Sequence, residues 1–152
     1  MDKEKLKNMV FATRAIHGGQ QPNTYGALNA PIYQSSTFVF NSPEEGGRRF
    51  AGEESGYIYT RLSNPSQSVV EEKLTLLEGA QAALTTASGM GAISAALWTA
   101  LKTGDHVVAG DILYGCTFSL LSHGLPRVGV EVPFVDMTDL QAVQNAMRPN
   151  TK

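Results

Sequence analysis

Apolar residues follow two different rhythms along this chain. Up to about residue 62 they show little period, because Gly, Pro, Asn, Gln and Ser interrupt them. Loops are expected at Gly18–Asn23 and Asn41–Gly47. Pro31 to Phe40 reads as extended, with Tyr33, Thr37, Phe38, Val39 and Phe40 in it. A short helix is predicted from Pro43 to Ala51, capped by Ser42, with Pro43 at the first helical position, where its missing N–H is not needed. An irregular arm with so few core-type positions is expected to lie against another domain or another chain.

From Asn64 onward helix and strand patterns alternate. Val70, Leu74 and Leu77 share a helical face, and Gly79 supplies the stop. Ala82 to Thr86 is short and apolar, a candidate buried strand. Ser88 to Lys102 reads as a helix with Ile93, Leu97, Trp98 and Leu101 facing a core, ending near Gly104. His106–Ala109 is predicted as a second strand, and Tyr114 to about His123 as a helix closed by Gly124 and Pro126. Val130–Val135 is a third strand, which Pro133 makes irregular or places at an edge. Asp139–Met147 is the last helix. This alternation predicts an α/β fold, a parallel sheet covered by helices. Arg148–Lys152 reads as a helix exit into a further strand. Because a small parallel sheet leaves an exposed edge, the chain is expected to be part of a longer one.

Composition narrows the function classes. A net charge of −2 over 152 residues gives no field that would favour nucleic acid or an anionic membrane. The single cysteine allows no internal disulfide, which suits a reducing, cytoplasmic setting. The charged start, Met1 to Lys7, leads into no apolar signal region, and no apolar run approaches the ~20 residues needed to span a bilayer. His17, His106 and His123 lack metal-ligand spacing, so no metal site is expected, and His106 reads as structural.

Three short stretches carry candidate chemistry. Ala87-Ser88-Gly89-Met90-Gly91-Ala92 opens a helix after an apolar segment. Helix N-termini offer unpaired N–H groups and positive potential, and glycine lets an anion approach, so phosphate binding stands beside a plain tight turn. The same residues fit a dinucleotide fingerprint weakly: Gly89-x-Gly91-x-x-Ser94, with Asp111 roughly 20 residues on. Tyr57-Ile58-Tyr59-Thr60-Arg61 pairs a guanidinium fork with phenols, suited to phosphate, or is an aromatic strand with a solvated Arg. Tyr114-Gly115-Cys116-Thr117 follows a strand end, on the rim where open α/β sheets bind ligands. There Tyr114 can stack on a flat ring or move a proton, and Cys116 can be reactive, unless both simply pack.

Taken in order, seven stretches resemble the Cys/Met-metabolism group of pyridoxal-phosphate (PLP) enzymes, the group of cystathionine γ-synthase and γ-lyase, O-acetylhomoserine sulfhydrylase and methionine γ-lyase. They are Thr13–Gly19, Pro31–Phe38, Tyr57–Pro65, Leu77–Ala80, Ala87–Met90, Gly104–Val108 and Tyr114–Thr117. The resemblance implies an N-terminal arm (1–62) contacting a neighbouring subunit, then the first part (63–152) of an aspartate aminotransferase-like, fold type I large domain with a mostly parallel sheet. It implies pyridoxal 5′-phosphate as cofactor, with Ser88, Gly89 and Met90 on its phosphate. Tyr59 and Arg61 would be lent to a neighbouring subunit's phosphate, and Tyr114 would stack on the ring and transfer protons with its pKa lowered by a cation such as Arg61. It further implies a homodimer or homotetramer with shared active sites and a small amino-acid substrate.

Cys116 is a trait of the group's methionine γ-lyases, so the resemblance implies γ-elimination of L-methionine to methanethiol, 2-oxobutanoate and ammonia, with Cys116 tuning substrate placement; the cystathionine γ-lyase, cystathionine γ-synthase and O-acetylhomoserine sulfhydrylase reactions stand as alternatives. The family's Schiff-base lysine, its aspartate at the pyridine nitrogen and its substrate-carboxylate arginine have no counterpart here. Ser66 stands where the family often has Thr. By itself the chain is expected to be inactive toward methionine, an interaction fragment at most.

Overall fold

The computed structural model describes residues 3–20 and 23–152, with side chains from residue 5 onward. Part of the expected Gly18–Asn23 loop, residues 21 and 22, and residues 1 and 2 of the charged start lie outside the described residues. The chain forms two compact units, residues 1–85 and 86–152.

Among the described residues the first unit holds four helices, α1 (Lys3–Lys7), α2 (Phe11–His17), α3 (Pro43–Phe50) and α4 (Pro65–Glu78). The first two are additions to the arm that the apolar pattern did not show. α2 is held by its neighbour α4 rather than by a core stripe: Arg14 donates from Nη1 to the Leu76 carbonyl at 2.9 Å. The chain leaves α2 through Gly18 and Gly19, and a Cβ on Gly19 (φ +71°) would fall into the Val69 carbonyl of α4. α3 starts as expected, with the Ser42 hydroxyl accepting from the Glu45 amide at 3.2 Å. α4 is capped by Asn64 and ends at Gly79 in the left-handed region, φ 62°. Val70 and Leu74 on α4 are nevertheless exposed within this chain.

The expected strand at Ala82–Thr86 forms no ladder among the described residues. The segment has no regular secondary structure, and Leu84 is 76% exposed. Apolar composition favours a buried strand, yet a strand forms only where another offers its backbone groups.

In the second unit the order is α5 (Gly89–Ala100), β1 (Ala109–Gly110), α6 (Gly115–Ser119), β2 (Phe134–Val135) and α7 (Leu140–Ala146). β1 and β2 pair in parallel, Ala109 against Phe134. The parallel pairing continues back to a bridge between His106 and Glu131, and a second parallel bridge joins His106 to Thr151 on the other side. Past Arg148 the chain makes this single bridge at Thr151, and the regular ladder is shorter than His106–Ala109 and Val130–Val135 suggested.

Ala109, Leu121, Leu125 and Val130 form the core, with Leu97, Leu101, Val107, Val132 and Phe134 packed around it. Trp98, expected in that packing, is 50% exposed. His106 is fully buried, its Nδ1 2.8 Å from the Thr151 hydroxyl.

The helix begun at Gly115 does not close at Gly124. It widens into a π-helical turn at Leu120–Gly124 and tightens into a 3-10 turn at Leu125–Val128, ending at Gly129 with φ 79°. Pro126 explains the change, since it has no N–H for an α-helical bond and is tolerated at the start of a new turn.

Candidate functional site

α5 opens on the turn singled out from sequence. Ser88 has extended backbone (φ −161°, ψ 158°), and its Oγ accepts from the Gly91 amide at 3.0 Å. Ala92 donates back to the Ser88 carbonyl at 3.1 Å. That leaves Gly89 and Met90 as the two amides of the first turn with neither a carbonyl one turn behind nor the cap oxygen to bond. The turn is exposed at Ser88 and Gly89, and nothing lies within 4 Å of a Cβ built on Gly89. Two adjacent donors at the positive end of a 12-residue helix, open to a ligand, form an anion cradle.

The second helix start lies beside the first. Thr117 on α6 donates its hydroxyl to the Met90 sulfur at 3.7 Å, so the structure brings Ser88, Gly89 and Met90 together with Tyr114 and Cys116. Tyr114 follows β1 at its carboxyl end and is the N-cap residue of α6. It is 72% exposed, which leaves its ring free to face a ligand. Cys116 is exposed and unbridged. The two side chains act on each other: a hydrogen bond to Cys116, then the negative charge of the Cys116 thiolate, hold the Tyr114 phenol above its ordinary pKa.

Tyr59 and Arg61 belong to the other compact unit. Tyr59 bridges Thr37 in antiparallel fashion, with Phe38 donating to the Ile58 carbonyl at 3.1 Å and Thr60 to the Ser36 carbonyl at 2.9 Å. Buried Asn64 fixes the far side of the turn, donating to the Tyr33 carbonyl at 3.0 Å and the Thr60 hydroxyl at 2.9 Å. The exposed Arg61 guanidinium lies 5.4 Å from the Tyr59 ring centroid, a cation–π pair on a pinned turn.

Two hydroxyls given no role in the sequence reading complete the first helix start. Thr86 donates to the Ser88 carbonyl at 2.8 Å, and Thr117 reaches Met90. A threonine next to a glycine turn is too common a pattern to single out; only the fold shows where its hydroxyl goes.

The family model described as Cys/Met metabolism PLP-dependent enzyme matches residues 12–152. The chain belongs to this family. The match runs through the Gly89 turn and Asp111 together, so the dinucleotide-module alternative is not retained. Several curated relatives carry the name L-methionine gamma-lyase, two of which span the whole chain. That of Porphyromonas gingivalis is 61% identical over all 152 residues, and that of Treponema denticola 55% identical over the same span. The chain spans 38% of the length of each.

A solved putative O-acetylhomoserine (thiol)-lyase from Campylobacter jejuni, described as carrying N′-pyridoxyl-lysine-5′-monophosphate, superposes with a TM-score of 0.86 at 35% identity. It is covered over 95% of this chain and 36% of its own. The fold is accordingly the first part of the fold type I architecture of PLP-dependent enzymes, α/β with a parallel sheet. The residues present fit that family's cofactor at its anionic end: two open amides, an exposed Ser88 and no side chain over Gly89.

Proposed function

We propose that this chain supplies the phosphate-binding end and the acid–base phenol of a PLP-dependent carbon–sulfur lyase that γ-eliminates L-methionine to methanethiol, 2-oxobutanoate and ammonia. The observation that carries the reading is the pair of open amides at Gly89 and Met90, with the Tyr114–Cys116 turn tied beside them through Thr117. Family membership and the names of the two curated relatives support the same reading.

In this reading the Gly89 and Met90 amides and the Ser88 O–H hold the phosphate, while the Ser88 lone pair keeps capping Gly91. PLP, when bound, supplies the electron sink for cleavage at the γ-carbon. Tyr114 would face the cofactor from the start of α6, and its phenol would give a proton to the departing thiolate. A phenol kept protonated beside Cys116 suits a donor, and a cation from the adjoining subunit would bring its pKa back toward working range. Cys116 sets where the substrate side chain lies. Tyr59 and Arg61, on their pinned turn, extend to the phosphate of a neighbouring copy, which gives residues 1–62 their role as an arm and makes the assembly a homodimer or homotetramer in the cytoplasm. The remaining site groups come from a longer polypeptide.

The test is a specificity ratio. Cys116→Gly is expected to lower turnover of methionine relative to cystathionine, measured as methanethiol and 2-oxobutanoate release. An unchanged ratio would remove the assignment to methionine. PLP binding no tighter than binding of pyridoxal, which lacks the phosphate, would remove the cofactor reading itself.

A further inference from the structure

Thr117 has no task in the reaction just described, yet it joins the two helix starts that build the site. Its hydroxyl donates to Met90 Sδ at 3.7 Å, and both side chains are half-buried. Met90 contributes the second open amide. Thr117 stands three residues after Tyr114, the N-cap of the same helix, and the Phe118 amide bonds the Tyr114 carbonyl at 2.9 Å, which ties Tyr114 to the first turn that carries Thr117. A hydrogen bond from that turn to Met90 therefore fixes the cradle relative to the phenol.

We propose that Thr117 is a positioning residue of this enzyme, setting the spacing between the phosphate-holding amides and the Tyr114 hydroxyl through the Met90 sulfur. The inference rests on the PLP reading above and adds to it a group that touches neither phosphate nor substrate. Valine at 117 keeps the shape and loses the donor, serine keeps the donor, and leucine at 90 keeps the amide and loses the acceptor.

The experiment measures affinity for PLP and for pyridoxal, together with kcat for methionine, in the holoenzyme and in the T117V, T117S, M90L and T117V/M90L forms. T117V and M90L are each expected to weaken PLP binding about 3–10-fold, the worth of one modest hydrogen bond, with pyridoxal binding unchanged. T117S is expected to restore the reference values. The double variant should be no worse than either single one, because both remove the same bond. Equal losses for PLP and pyridoxal, no rescue by serine, or additive losses would each overturn the proposal and leave Thr117 a packing residue. If the reference protein itself shows no preference for PLP over pyridoxal, the cofactor reading fails first and takes this inference with it. If T117V does not fold, M90L and T117S decide the matter.

Discussion

Proline at position 89 separates the cradle's chemistry from the helix that carries it. Gly89 is the first residue of α5, where a proline's missing N–H breaks no helical bond. Ser88 before it is already extended, the conformation a following proline favours, and nothing lies within 4 Å of an added Cβ. Helix stability should therefore be held or raised, by roughly 0.4–1 kcal/mol from reduced freedom of the unfolded chain. The amide at 89 is deleted, and a hydrogen bond to a charged group is worth about 1.5–3 kcal/mol. At about 1.4 kcal/mol per decade this is roughly a 10–150-fold loss of PLP affinity. Gly89→Ala is the control, because it keeps the N–H at the same open position. Titration with PLP and with pyridoxal, alongside thermal unfolding of both variants without cofactor, reads the effect. If Gly89→Pro folds normally and binds PLP as tightly as Gly89→Ala, the amide at 89 does not hold the phosphate.

Three further outcomes follow from other parts of the structure. Leu125 is fully buried in the core of the second unit, so Leu125→Ala should cost about 2–5 kcal/mol in denaturant unfolding; a cost near zero would mean that this core does not hold the unit together. The Asn41 amide, at 2.6 Å, and Arg49 hold the Glu45 carboxyl below its ordinary value near 4.5. The unfolded chain then binds more protons than the folded one, so the stabilisation is present above that ordinary value and is lost as pH falls through the lower folded one. The Phe40–Phe50 ring contact, followed by NMR, should loosen in acid, and Glu45→Gln should remove that pH dependence; an unaltered acid profile in the variant would contradict it. Because Cys116 holds the Tyr114 phenol up, Cys116→Gly should lower the phenol's ionisation midpoint in an ultraviolet pH titration of this chain, and an unmoved midpoint would show that the two side chains do not interact.

What could be read from the sequence was what is fixed locally. Ser42 and Ser88 announce helix starts because a cap acts within three residues, and Gly79 announces a stop because few other residues adopt its backbone angles. The Ser88 turn could be named as a candidate anion site for the same reason. Features that depend on distant partners stayed hidden. Ala82–Thr86 has strand composition and no strand partner among the described residues. α2 shows no apolar stripe because α4 holds it with a carbonyl and a close approach at Gly19. The widened turn at Leu120–Gly124 depends on how the chain accommodates Pro126 while keeping Leu121 and Leu125 in the core. The link from Thr117 to Met90 joins residues 27 apart and is invisible to any local pattern. Ordered family motifs supplied an expectation that periodicity could not, the proposed pairing of Tyr59 and Arg61 with a phosphate of a neighbouring copy.

A crystal structure of the PLP-bound protein tests the central claim most directly, through two distances. The account predicts cofactor phosphate oxygens about 2.7–3.2 Å from the backbone nitrogens of both Gly89 and Met90, with the Tyr114 ring against the pyridine. A phosphate bound elsewhere, with those two amides turned to solvent, would contradict it.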